Sequence, residues 1–80
     1  MSRLPAITAG ELVRVLERLG FFKHHQVGSH AQFKNPDGKR ITVSIHPGKD
    51  VGKKTLRGII DDLEMTVEEF IAVSKGGHKS

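Results

Sequence analysis

The sequence predicts an α+β domain built as a two-layer sandwich. The expected order is α-β-β-β-α, with a three-stranded antiparallel sheet, helices on one sheet face and a short C-terminal helix. Two observations carry this. Apolar residues recur at helical spacing on both sides of a central stretch that alternates polar with apolar. Within that stretch, Gly28-Ser29 and Asn35-Pro36-Asp37-Gly38 supply turn chemistry at hairpin positions. The chain has 80 residues, enough for one core only. A single domain is expected over residues 1–74, with 75–80 as a flexible tail lacking apolar residues.

The first helix is predicted over residues 9–19. Thr8-Ala9-Gly10-Glu11 has the capping-box pattern, in which Thr caps an early amide and Glu reaches back. Leu12, Val15, Leu16 and Leu19 then form one apolar face, and Gly20 stands where a left-handed cap residue belongs.

Phe21 to Val27 predicts the first strand, weakened by Lys23-His24-His25-Gln26. After the Gly28-Ser29 turn, Ala31 and Phe33 alternate with His30, Gln32 and Lys34. Ile41, Val43 and Ile45 alternate with Thr42, Ser44 and His46. Opposed residues of a hairpin share a face, so Phe33 stands against either Val43 or Ile41. The first register sets His30 against His46, the second against Ser44. Both put His30, Gln32, Lys34, Thr42, Ser44 and His46 on the polar face, unless a β-bulge shifts the parity. A loop over 46–52 precedes a helix starting near Lys53 or Lys54 with Leu56, Ile59, Ile60 and Leu63 inward. Thr66-Val67-Glu68-Glu69 starts a last helix over about 67–74.

The formal charge is +4, but it is uneven. Residues 21–57 hold Lys23, Lys34, Lys39, Arg40, Lys49, Lys53, Lys54 and Arg57 against Asp37 and Asp50, a net of +6. Residues 58–80 have a net of −3. A basic central segment points to a polyanion, nucleic acid first. With no cysteine, disulfides and thiolate sites are excluded, and a reducing cytoplasm is the expected location. No apolar run reaches the roughly 20 residues of a membrane span, and no secretory leader is expected. With no Trp or Tyr, an aromatic base-stacking platform is not expected; Phe21, Phe22, Phe33 and Phe70 read as core.

Gly28-Ser29-His30 is the sharpest candidate site. Histidine is suited to taking or giving a proton near neutral pH. RNA carries its own nucleophile, the 2′-hydroxyl, so its cleavage needs a placed acid or base and phosphate contacts, without a metal. The competing reading is that His30 is a surface polar residue. His46 is either a second proton-transfer group or a strand-end side chain bonding the loop that Pro47 fixes. His24, His25 and His30 do not make a convincing metal set, because adjacent strand residues point to opposite faces. Gly28, Ser29, Lys34, Lys39, Arg40, His46, Lys53 and Lys54 are candidate RNA contacts. No metal and no cofactor are expected.

These pieces resemble the HicA (YcfA-like) mRNA interferase toxins of toxin–antitoxin systems. The resemblance runs over about residues 4–72. It lies in Leu16-Glu17-Arg18-Leu19-Gly20-Phe21, in Gly28-Ser29-His30 with Phe33, and in Ile45-His46-Pro47-Gly48-Lys49. It continues in Thr55-Leu56-Arg57-Gly58-Ile59-Ile60 and Thr66-Val67-Glu68-Glu69-Phe70. The resemblance implies a double-stranded RNA-binding-domain-like fold and a metal-independent endoribonuclease acting on mRNA. It implies His30 as the catalytic acid or base, and a HicB-type antitoxin as the protein partner. The family often has Arg or Lys just before Gly-Ser-His, where this chain has His24-His25-Gln26-Val27, and Gly where it has Lys54. The alternative is a non-catalytic double-stranded RNA-binding or adaptor module of the same fold.

Overall fold

Six elements follow one another in the computed structural model, which describes residues 4–46 and 48–76. They are α1 (Ala9–Arg18), β1 (Phe22–Val27), β2 (His30–Lys34), β3 (Arg40–Ser44), α2 (Lys53–Asp62) and α3 (Val67–Ser74). The α-β-β-β-α order and the short C-terminal helix are those expected from the sequence.

Capping explains where α1 begins and ends. The Thr8 hydroxyl accepts from the Glu11 amide at 3.1 Å, and Glu11 Oε1 accepts from the Thr8 amide at 2.9 Å. At the other end the Phe21 amide reaches Leu16 O and the Gly20 amide reaches Glu17 O. This Schellman arrangement needs a left-handed residue, and Gly20 supplies it with φ +94°. Thr66 and Glu69 repeat the capping box at the start of α3. The turn between α2 and α3 closes in the same Schellman way, but the left-handed residue there is Glu64, with φ +59°.

The sheet is antiparallel in the order β1-β2-β3. Between β2 and β3, Phe33 opposes Ile41 and His30 opposes Ser44. The chain thus adopts the second of the two registers open to the sequence. Asn35 and Lys39 close the hairpin around Pro36-Asp37-Gly38, with Gly38 at φ +89° and the Lys39 amide bonded to Asn35 Oδ1 at 2.8 Å. Strand β3 ends at Ser44, although the Ile45 amide still reaches Ser29 O at 2.7 Å. Val27 and His30 pair across the two-residue turn Gly28-Ser29, where Gly28 has φ +58°.

A β-bulge lies in β1. Phe22 opposes Lys34 and Lys23 opposes Phe33, but the next pair is His25 with Gln32, leaving His24 as the extra residue. The bulge reverses the parity of the strand start. Without it Phe22 would share the face of Phe33; with it Phe22 shares the face of Lys34. Phe22 is accordingly 50% exposed, which corrects its expected place in the core.

The core lies between the sheet and the helices. Ala31, Phe33, Ile41 and Val43 form its sheet side; Leu12, Val15, Leu16, Leu56, Ile59, Ile60, Phe70 and Val73 form its helix side. Phe21 and Ile7 join this cluster from the connecting segments. Lys23 and Gln26 point to the helix side yet stay exposed, so the helical layer covers β2 and β3 but stops short of β1. Arg18 ties α1 to α3, donating from Nη1 to Val73 O at 2.7 Å and satisfying a terminal carbonyl. The Val51 amide bonds Ile7 O at 2.8 Å, which fastens the entry to α2 beside the start of α1. Lys75 and Gly76, expected in the tail, instead close α3 through Ile71 O and Val73 O. The rest of that tail, 77–80, and Pro47 lie outside the described residues.

Candidate nucleic-acid interface

Cross-strand pairing arranges the open sheet face as three rows. One row is Phe22, Lys34 and Arg40; the second is His25, Gln32 and Thr42; the third is Val27, His30 and Ser44. Successive rows are two residues apart, about 7 Å at strand rise. No Asp or Glu occurs in any of the three strands. The strands of this face therefore present two permanent cations and two imidazoles and no carboxylate of their own, a surface suited to phosphate.

His30 opens β2, next to the tight turn, and its side chain is exposed. No hydrogen bond or ion pair holds it to another described residue. It is positioned by backbone: Val27 pairs with it on one side and Ser44 on the other. Gly28 makes the turn, and its carbonyl accepts from Gln26 Nε2 at 3.0 Å. Such a histidine is rigid at its base and free at its ring, able to hold or move a proton for a bound substrate.

The other candidate contacts separate into groups. Lys34 and Arg40 share the open face with His30, two rows away. His46 stands beyond the end of β3, two residues past the Ser44 that opposes His30. It lines a small cavity of about 260 Å³ with Ser44, Lys49, Asp50, Gly52 and Thr55. Lys53 and Lys54 lie in the first turn of α2 beside that cavity. Gly52 caps α2 without a side-chain acceptor, and the first turn holds no acidic residue, so the positive end of the helix is open there. Lys39 is elsewhere: its Nζ donates to Asp62 O at 2.7 Å and lies 3.4 Å from Glu64 Oε2. That ammonium caps the C-terminus of α2 and ties the hairpin to it. Asp61 and Asp62, at the end of α2, are far along the chain from His30 and on the other side of the sheet.

Phe22, Val27 and His25 also belong to this face, which the sequence alone does not reveal. The alternation in β2 and β3 placed their neighbours, but the parity of β1 depends on the bulge, and nothing in Phe22-Lys23-His24-His25 announces it. Among the described residues no three His, Asp or Glu side chains converge as a metal-binding group. No helix among them is long and apolar enough to cross a membrane.

The family model described as the HicA toxin of bacterial toxin–antitoxin systems matches residues 9–65, more than half of the chain. The chain belongs to the HicA toxin family. The match runs from the first residue of α1 through all three strands and α2, so it contains His30 and every row of the open face; α3 lies beyond it. It is narrower than the 4–72 expected from the motifs. No curated protein gives a match to the chain. Membership of the HicA family makes this a toxin of a toxin–antitoxin system, and its partner in general terms an antitoxin.

Proposed function

We propose that this HicA toxin is a metal-independent endoribonuclease that cleaves mRNA in the cytoplasm, with His30 as its catalytic residue. The observation that carries the reading is the placement of His30. It stands exposed behind a tight Gly-Ser turn, on a sheet face that bears Lys34 and Arg40 and whose strands hold no carboxylate.

The chemistry follows from the substrate. The imidazole takes the proton of a ribose 2′-hydroxyl, or gives one to the departing 5′-oxygen. The 2′-oxygen bonds to phosphorus as the bond to the 5′-oxygen breaks, which leaves a 2′,3′-cyclic phosphate and a 5′-hydroxyl. Lys34 and Arg40 neutralise phosphates on the open face. His46, Lys53 and Lys54 extend the basic surface around the edge of β3, and the Gly28-Ser29 turn offers backbone and hydroxyl contacts. Lys39, engaged at the end of α2, takes no part. A HicB-type antitoxin neutralises the toxin by covering this face.

The test is cleavage of a purified mRNA by the purified chain with a metal chelator present. Fragments ending in 2′,3′-cyclic phosphate support the reading. Binding of RNA with no cleavage at high protein concentration supports instead a non-catalytic double-stranded RNA-binding or adaptor module.

A further inference from the structure

Phe22 is a large aromatic ring left half exposed on the face of a sheet that carries cations. Its cross-strand partner is Lys34, and the next residue in the row is Arg40, so no apolar neighbour in that row covers it. At the other end of the same face Val27, 65% exposed, lies directly beside His30. The two exposed apolar side chains thus bracket the face, and the distance between their rows is four residues of strand β2, about 13 Å. The three strands contain no acidic residue to repel a polyanion.

This combination distinguishes between forms of RNA. A duplex keeps its base faces stacked inside and offers phosphates and 2′-hydroxyls to a protein. A flat aromatic ring adds nothing to that contact. A single strand offers unstacked bases, each with a π-face that an aromatic side chain can cover. We infer that the open sheet face takes single-stranded RNA, with one base stacked on Phe22, flanking phosphates at Lys34 and Arg40, and the strand running across the sheet to His30. Phe22 is then a positioning residue. It holds the substrate a few nucleotides from the bond to be cut, and it contributes to which sequences are cut. The inference rests on the reading of this toxin as an RNA-cleaving enzyme.

The test uses the full chain carrying His30→Ala, so that RNA stays intact, and a short labelled single-stranded RNA of mixed sequence. Its binding is compared with that of the same strand annealed to its complement. The expected result is tighter binding of the single strand. Adding Phe22→Ala weakens it about tenfold, within the range for loss of one base stack. Phe22→Tyr in its place keeps the affinity, whereas Phe22→Leu, apolar but not aromatic, does not. Circular dichroism of each variant checks that the fold is kept. Equal affinity with and without the Phe22→Ala substitution overturns the inference, and assigns the exposed ring to a protein partner. Preference for the duplex also overturns it, while leaving RNA cleavage by His30 intact. No binding to either RNA overturns both this inference and the reading beneath it.

Discussion

The two faces of the sheet are made from alternate residues of the same strands, and they do opposite things. On the helix-covered face Ala31, Phe33, Ile41 and Val43 are 0–2% exposed, packed against the helical layer. On the open face their immediate neighbours His30, Gln32, Lys34, Thr42 and Ser44 are exposed or half buried. Burying apolar area is the main favourable term in folding, so the covered face holds the molecule together. The open face contributes little to stability, and its residues are free to be selected for chemistry. One residue step along a strand therefore separates a folding residue from a candidate site residue.

Substitutions on the two faces should have unequal effects. The largest effect belongs to Phe33, 1% exposed at the centre of the covered face. Phe33→Ala should destabilise the protein by about 3–5 kcal/mol through lost burial and a cavity. That is a large part of the stability of so small a domain, and chemical denaturation should show a lower midpoint or an unfolded chain. A native-like midpoint in this variant would remove the asymmetry between the faces.

Smaller effects test the supports of the helical layer. Thr8→Ala removes the acceptor for the Glu11 amide and one side of the capping box. It should cost about 1 kcal/mol, read as a lower thermal midpoint with RNA cleavage retained. Glu64 points the other way. It holds a left-handed φ of +59°, and its carboxylate, 80% exposed, gains little from Lys39 in water. Glu64→Gly should therefore stabilise by about 0.5–1 kcal/mol in the same measurement. A loss of stability would mean that the contact with Lys39 outweighs the backbone strain.

How much of this was legible in the sequence follows from which signals are local. Both capping boxes, the Gly20 cap and the Asn35-Pro36-Asp37-Gly38 turn are short-range patterns, and each stands where the residues place it. The strict alternation of β2 and β3 sorted their residues between the faces, and the turn at Gly28-Ser29 put His30 at a strand start. The choice between two registers was not local. It is made by the Pro36-Asp37-Gly38 loop closing on Asn35 and Lys39, which sets Phe33 against Ile41. The face of Phe22 was not legible either, because one extra residue at His24 reverses it and no residue type there demands a bulge. Lys39 reads as one more surface cation until the hairpin folds back onto the end of α2. The candidate site was thus readable at His30 and along β2, and hidden where tertiary contacts decide.

In the proposed function the open face carries the chemistry, with His30 as the catalytic residue, while the covered face holds the fold. The direct measurement is cleavage of a purified mRNA by the wild-type chain and by His30→Ala, with thermal denaturation of both. Cleavage should be lost in His30→Ala, while its stability should stay within about 0.5 kcal/mol of wild type, as for other exposed substitutions. Cleavage by the His30→Ala protein at the wild-type rate would contradict the assignment of His30.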